Sequence, residues 1–200
     1  MDRGWNTVFE DIEEQMRLIE ENAIRQDREA GLNWETFSYS IHTGHFDELL
    51  ERVPRHLWTK KQFGTNGKTL LHYASGDDIN IASVRKLIEV GCDVNGRYKC
   101  FRVHRYDNIT LHPEYTPVMA AAGSGSPLNL QTLLDAGGRI QKYELQAAII
   151  ECGRPGYNCA LERAIECAKI LLKHGASLSN VSPQYWDALP DNIKSIILSK

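Results

Sequence analysis

Gly64-Thr65-Asn66-Gly67-Lys68-Thr69 carries the end of a phosphate-binding loop, where a glycine-rich turn offers backbone amides to a phosphate. Such a loop needs a further glycine five residues before its last one. That place is Gln62, so the turn that would wrap a phosphate is missing. Cys152, Cys159, Cys167 and His174 recur about every seven residues, and zinc sites do use these ligand types. Structural zinc sites favour tight pairs about two to four residues apart. Cys167 also lies in the apolar stretch leading to Ile170 and Leu171, where a cysteine behaves as a small hydrophobe. No Ser/His/Asp arrangement or carboxylate pair stands out. No catalytic residue, metal ligand or cofactor is assigned, and the expectation is a protein that is not an enzyme.

Residues 96–113 are of another kind. Arg97, Lys99, Arg102 and Arg105 face only Asp107, and Tyr98, Phe101 and Tyr106 are interleaved with them. Residues 99–105 and 109–112, either side of Asp107-Asn108, predict a β-hairpin. Arg and Tyr on such a finger have the composition of an interface anchor. A solvated hairpin packed on its neighbour is the equal alternative. Four basic residues are too few for a strong phosphate term, so nucleic acid is not an expected partner.

The elements that must position these residues come from a soluble type of composition, 42% hydrophobic and 24% charged. Its 200 residues suit one domain or one repeat array. A net charge of −3 argues against non-specific nucleic-acid binding by the whole chain. No apolar run approaches the roughly 18 residues of a membrane span. Residues 1–15 lack the apolar core of a signal peptide. Five cysteines, an odd number, read most simply as reduced thiols in the cytoplasm.

A repeat organises the middle of the chain. Gly67-Lys68-Thr69-Leu70-Leu71-His72-Tyr73-Ala74 opens a unit that closes with Val84-Arg85-Lys86-Leu87-Ile88-Glu89-Val90-Gly91-Cys92-Asp93-Val94-Asn95. A second runs from Thr116-Pro117-Val118-Met119-Ala120-Ala121-Ala122 to Leu130-Gln131-Thr132-Leu133-Leu134-Asp135-Ala136-Gly137. A third begins at Leu145-Gln146-Ala147-Ala148 and ends at Ala168-Lys169-Ile170-Leu171-Leu172-Lys173-His174-Gly175. Upstream, Thr43-Gly44-His45 lies in a degenerate copy over 37–50. Thr69 and Thr116 suit helix caps, and Gly91, Gly137 and Gly175 suit left-handed helix ends. The spacing is irregular: 46 residues separate Gly91 from Gly137 and 38 separate Gly137 from Gly175, against a repeat of about 33. The extra residues fall between Asn95 and Tyr115 and around 153–157.

These copies resemble the ankyrin repeat, with its T-P-L-H-x-A opening and V-x-x-L-L-x-x-G-A-D-V-N ending, over about residues 34–180. The resemblance implies an all-α solenoid of stacked helix-turn-helix units with about four copies, here with an extended β-hairpin insertion. It implies a binding module, with His72 bonding backbone between units. Family contact positions, at the finger tips and the exposed side of the first helices, map to Lys68, Tyr73, Asp77, Asp78, Tyr115 and Lys142. Tyr98, Arg102, Arg105 and Tyr106 of the hairpin are added to them.

The ends are read separately. Residues 1–33 hold an amphipathic helix, with Val8, Ile12, Met16, Ile19 and Ala23 at helical spacing, as a cap or a partner helix. Residues 181–200 hold a C-terminal capping helix. Trp186, Leu189, Pro190, Ile193 and Ile197 there are similar to the opening of a truncated F-box, which implies a Skp-type ubiquitin-ligase adaptor as the alternative partner. The expected function is protein–protein interaction with a partner the sequence does not name. The expected location is the cytoplasm, and host cytoplasm if, by analogy with short arrays of viruses and intracellular bacteria, it is a host-targeting protein. An adaptor role and a subunit of a larger assembly are the other readings.

Overall fold

The computed structural model describes residues 51, 58–59, 68–100, 112–152 and 158–199. The helix expected within 1–33, the copy at 37–50, the loop at 153–157, and Arg102, Arg105 and Tyr106 lie outside these residues. Within them the chain is mostly helical. Helices α1 (Leu70–Ala74) and α2 (Ile81–Glu89) precede strands β1 (Tyr98–Cys100) and β2 (His112–Tyr115). Six helices follow: α3 (Pro117–Gly123), α4 (Pro127–Asp135), α5 (Glu144–Cys152), α6 (Asn158–Lys173), α7 (Pro183–Asp187) and α8 (Asp191–Leu198).

The helices form two layers. α1, α3, α5 and α7 stack successively in one, and α2, α4, α6 and α8 in the other. α2, α4 and α6 each turn a pair of residues three apart onto one face: Val84 and Leu87, Leu130 and Leu133, Ala168 and Leu171. All six are fully buried. One apolar cluster runs through the stack from Trp58, by Leu71, Val118 and Ile149, to Ile197.

Local chemistry sets the helix ends. The Thr69 hydroxyl accepts the His72 N–H, and the Thr116 hydroxyl accepts the Met119 N–H at 3.1 Å, so α1 and α3 each start at a threonine cap. Pro117, Pro127 and Pro183 occupy first turns, where a missing N–H costs nothing. Three second helices end alike. The N–H groups of Gly137 and Gly138 donate to Leu134 and Leu133, and the same pair of bonds recurs at Gly91–Cys92 and Gly175–Ala176. Gly137 has φ +89° and open space where a Cβ would stand. Gly137→Ala is therefore expected to cost about 1–2 kcal/mol from backbone strain alone, readable as a lower urea midpoint with unchanged slope.

The strands pair antiparallel, Tyr98 opposite Tyr115 and Cys100 opposite His112. Two residues of β2, Pro113 and Glu114, thus oppose one of β1, and proline lacks the amide a regular ladder would need. Residues 101–111 are outside the described chain.

The C-terminal segment differs from the single capping helix expected over 181–200. α7 and α8 pack on α5 and α6 as a further helix pair. Leu189, Ile193 and Ile197 face inward, each under a tenth exposed.

Candidate functional site

Four of the residues expected at a binding surface, Lys68, Tyr73, Tyr98 and Tyr115, lie around α1, β1 and β2. Tyr98 is 4% exposed and meets the His72 ring edge-on, with centroids 4.9 Å apart. It also meets Tyr115 at 5.2 Å. The Lys68 ammonium sits over both Tyr73 (5.2 Å) and Tyr98 (5.5 Å). Tyr73 is 7% exposed. Tyr73 and Tyr98, expected at the surface, are instead buried: Tyr73 belongs to the apolar cluster, and Tyr98 of β1 packs on His72 of α1. Lys68 and Tyr115 remain half-exposed at the margin.

His72 explains the attachment. Its Nδ1 accepts the Thr69 backbone N–H at 3.2 Å and lies 2.7 Å from the Thr69 hydroxyl. The imidazole proton is thereby placed on Nε2, which donates to the Tyr115 carbonyl at 3.1 Å. Burial holds the His72 pKa down at about 4, outweighing the favourable bond to Tyr115. The position has counterparts in the other units. Met119 is buried without a polar role visible at its side chain, and Gln146 accepts the Ser182 N–H at 3.0 Å.

Asp77 and Asp78 lie at the other end of α1. The Asp77 carboxylate accepts the Ile79 N–H and caps a short 3-10 turn. Asp78 reaches into the next unit, accepting the N–H groups of Asn129 (2.9 Å) and Leu128 (3.3 Å) at the start of α4. Buried Asn129 returns the link, its amide donating to the Asp77 carbonyl at 2.7 Å and reaching those of Ala74 and Ser75. These acids are joints between units. A carboxylate on a helix N-terminus is stabilising through both the bond and the dipole, so Asp78→Ala is expected to cost about 1–2 kcal/mol in urea unfolding.

Of the proposed contact residues, Lys142 is openly exposed, its ammonium 5.3 Å from the Tyr143 ring centroid. Arg97 and Arg139, which the sequence reading did not place in the contact set, are exposed along the same edge of turns. Arg139 had a signal available: it lies two residues after Gly137, where Asp93 follows Gly91.

The remaining titratable groups inside are structural. Glu144 is fully buried at the start of α5, accepting the Gln141 N–H at 2.8 Å and the Thr116 hydroxyl at 3.4 Å. Burial raises its pKa, with those bonds opposing. The thiols of Cys92 and Cys152 are pushed up to about 11 and that of Cys167 to about 12, all mainly by burial, which disfavours the reactive thiolate. Among the described residues no three His, Cys, Asp or Glu side chains could hold a metal ion together. No described helix is long and apolar enough to cross a membrane.

The adaptor face expected from Trp186, Leu189, Pro190, Ile193 and Ile197 is largely turned inward. Leu189, Ile193 and Ile197 belong to the common core, with Trp186 packed against it, and Pro190 alone is exposed. An outside partner would have to displace α8 to reach them. No protein-family model matches the chain, and comparison with curated proteins finds no match.

Proposed function

We propose that the chain is a non-catalytic ankyrin-type module that holds a partner protein along the edge formed by its turns and strands, acting in the cytoplasm. The observation that carries this reading is the repeated joint. Three successive second helices end in the same left-handed glycine turn, and exposed cations, Arg97, Arg139 and Lys142, project along that edge. A stack of units that each pack on their neighbours leaves such an edge extended and open, which suits protein recognition. Arg102, Arg105 and Tyr106, which lie outside the described residues, are proposed as further contacts.

Affinity capture with the intact chain, compared with Arg102→Glu/Arg105→Glu/Lys142→Glu, tests the reading. A partner held by the intact chain and lost by the charge-reversed one is the expected result. Equal capture by both, with the variant folded by circular dichroism, would remove the edge from the proposal.

A further inference from the structure

The turn edge contains two grooves, and they are not alike. Between the turns after α2 and α4, Asn95 closes the gap. Its amide donates to the Gly137 carbonyl at 3.1 Å, and its oxygen accepts the Arg139 N–H at 2.8 Å. Asp93 steadies it by accepting the Asn95 N–H at 2.9 Å. Asn95 stands four residues after Gly91, and the residue four after Gly137 is Gln141.

Gln141, one methylene longer, does not repeat the stitch. Its Nε2 is buried with no hydrogen-bond partner. Between its turn and the turn after α6 lies a cavity of about 460 Å³. Arg139, Ile140, Gln141, His174, Ser177 and Asn180 are among its walls, and none of the lining residues is acidic. Where the first turn carries Asp93, this one carries exposed Arg139.

We propose that this groove binds an acidic side chain of a partner polypeptide, the carboxylate pairing with Arg139 and accepting a hydrogen bond from the Gln141 amide. The charge complementarity is one-sided: a cation at the rim, a donor in want of an acceptor, and no carboxylate among the lining residues, the carboxylate of Glu144 being buried and held by the Gln141 backbone N–H and the Thr116 hydroxyl. A planar guanidinium suits carboxylate recognition. A buried amide donor with no acceptor is costly, so a ligand oxygen that satisfies it is favoured. The volume falls within the range of about 300–1,000 Å³ seen for pockets that enclose small ligands, enough for one side chain and its flanking backbone. On binding, the Gln141 amide rotates toward the cavity it lines. Ile140 and Leu134 supply apolar wall for the methylenes of a glutamate.

The inference rests on the partner-binding reading, but its test needs no native partner, so the two can fail separately. Amide resonances of the full chain are followed by NMR during titration with acetyl-Gly-Glu-Gly-amide, with its glutamine counterpart, and with acetate. Saturable shifts confined to residues 138–141 and 175–177 are expected with the glutamate peptide, with binding at least about tenfold weaker for the other two. Arg139→Ala and Gln141→Met should each weaken the glutamate peptide about fivefold or more while leaving the rest of the spectrum in place. Equal shifts with the glutamine peptide, or no saturable shifts at all, would overturn the proposal. Acetate binding as tightly as the peptide would also overturn it, showing adventitious anion binding with no part for a polypeptide.

Discussion

Leu133→Ala is expected to lower stability by about 3–5 kcal/mol, a large part of the roughly 5–15 kcal/mol that holds a domain together. Leu133 is fully buried in α4, the helix that packs on α2, α3 and α6 and so joins three successive units. Removing its methyl groups forfeits their transfer from water and leaves a cavity that close-packed neighbours fill only in part. The neighbours here are constrained: the Leu133 carbonyl is held by the Gly138 N–H at 2.8 Å, so the backbone cannot simply move in. Because a stack depends on the interfaces between adjoining units, the loss should lower the urea midpoint for the described stack as a whole. Leu128→Ala is the matched comparison. It deletes the same atoms from the same helix, at a side chain that is 59% exposed, and should change stability by under about 1 kcal/mol. Equal effects of the two substitutions would contradict the burial pattern.

Acidification should act almost as strongly through one residue. His72 titrates at about 4 in the fold against 6.5 for a free histidine, a difference equivalent to roughly 3 kcal/mol. Above pH 6.5 both folded and unfolded chains carry a neutral imidazole, and the contribution of the fold is complete. Between 6.5 and about 4 the unfolded chain takes up a proton that the folded chain resists, so stability falls as pH is lowered. Below about 4 both are protonated and the slope from this group ends. The cause is geometric as well as dielectric: a proton on Nδ1 would confront the Thr69 N–H that Nδ1 now accepts. In His72→Gln this slope should vanish, since the amide can still donate to the Tyr115 carbonyl and does not titrate. Urea unfolding at pH 7 and pH 4.5 measures it, as the difference between native chain and variant. Glu144, whose raised pKa gives the opposite slope, is common to both and cancels. If the variant loses as much stability between the two pH values as the native chain, His72 is not the responsible group.

The difference between these residues and those placed on the surface shows what a sequence discloses. Thr69, Thr116 and the glycines at 91, 137 and 175 act on backbone within a few residues of themselves, so their roles follow from local chemistry. Leu87, Leu133 and Leu171 stand at a constant distance before those glycines, and spacing alone puts them inside. Tyr73, Tyr98 and Asp78 are different. An aromatic is exposed unless another segment covers it, and Tyr98 packs against His72, 26 residues earlier in the chain. Asp78 looked like a free carboxylate because the amides it caps lie 50 and 51 residues away. The residues at 181–200 show the same limit. Their apolar spacing suits a docking face and a core face equally, and only the presence of α5 and α6 beneath them decides for the core.

By itself, the sequence determined the mostly helical class, the threonine starts and glycine ends of the helices, and the apolar positions that face inward. Each depends on interactions within a turn or two. Tertiary structure alone decided which polar and aromatic groups were left for a partner, because exposure is a property of what packs across from a residue. That decision moved Tyr73, Tyr98 and Leu189 inward, engaged Asp78 with the start of α4, and brought Arg139 and the unstitched groove beside Gln141 to the surface.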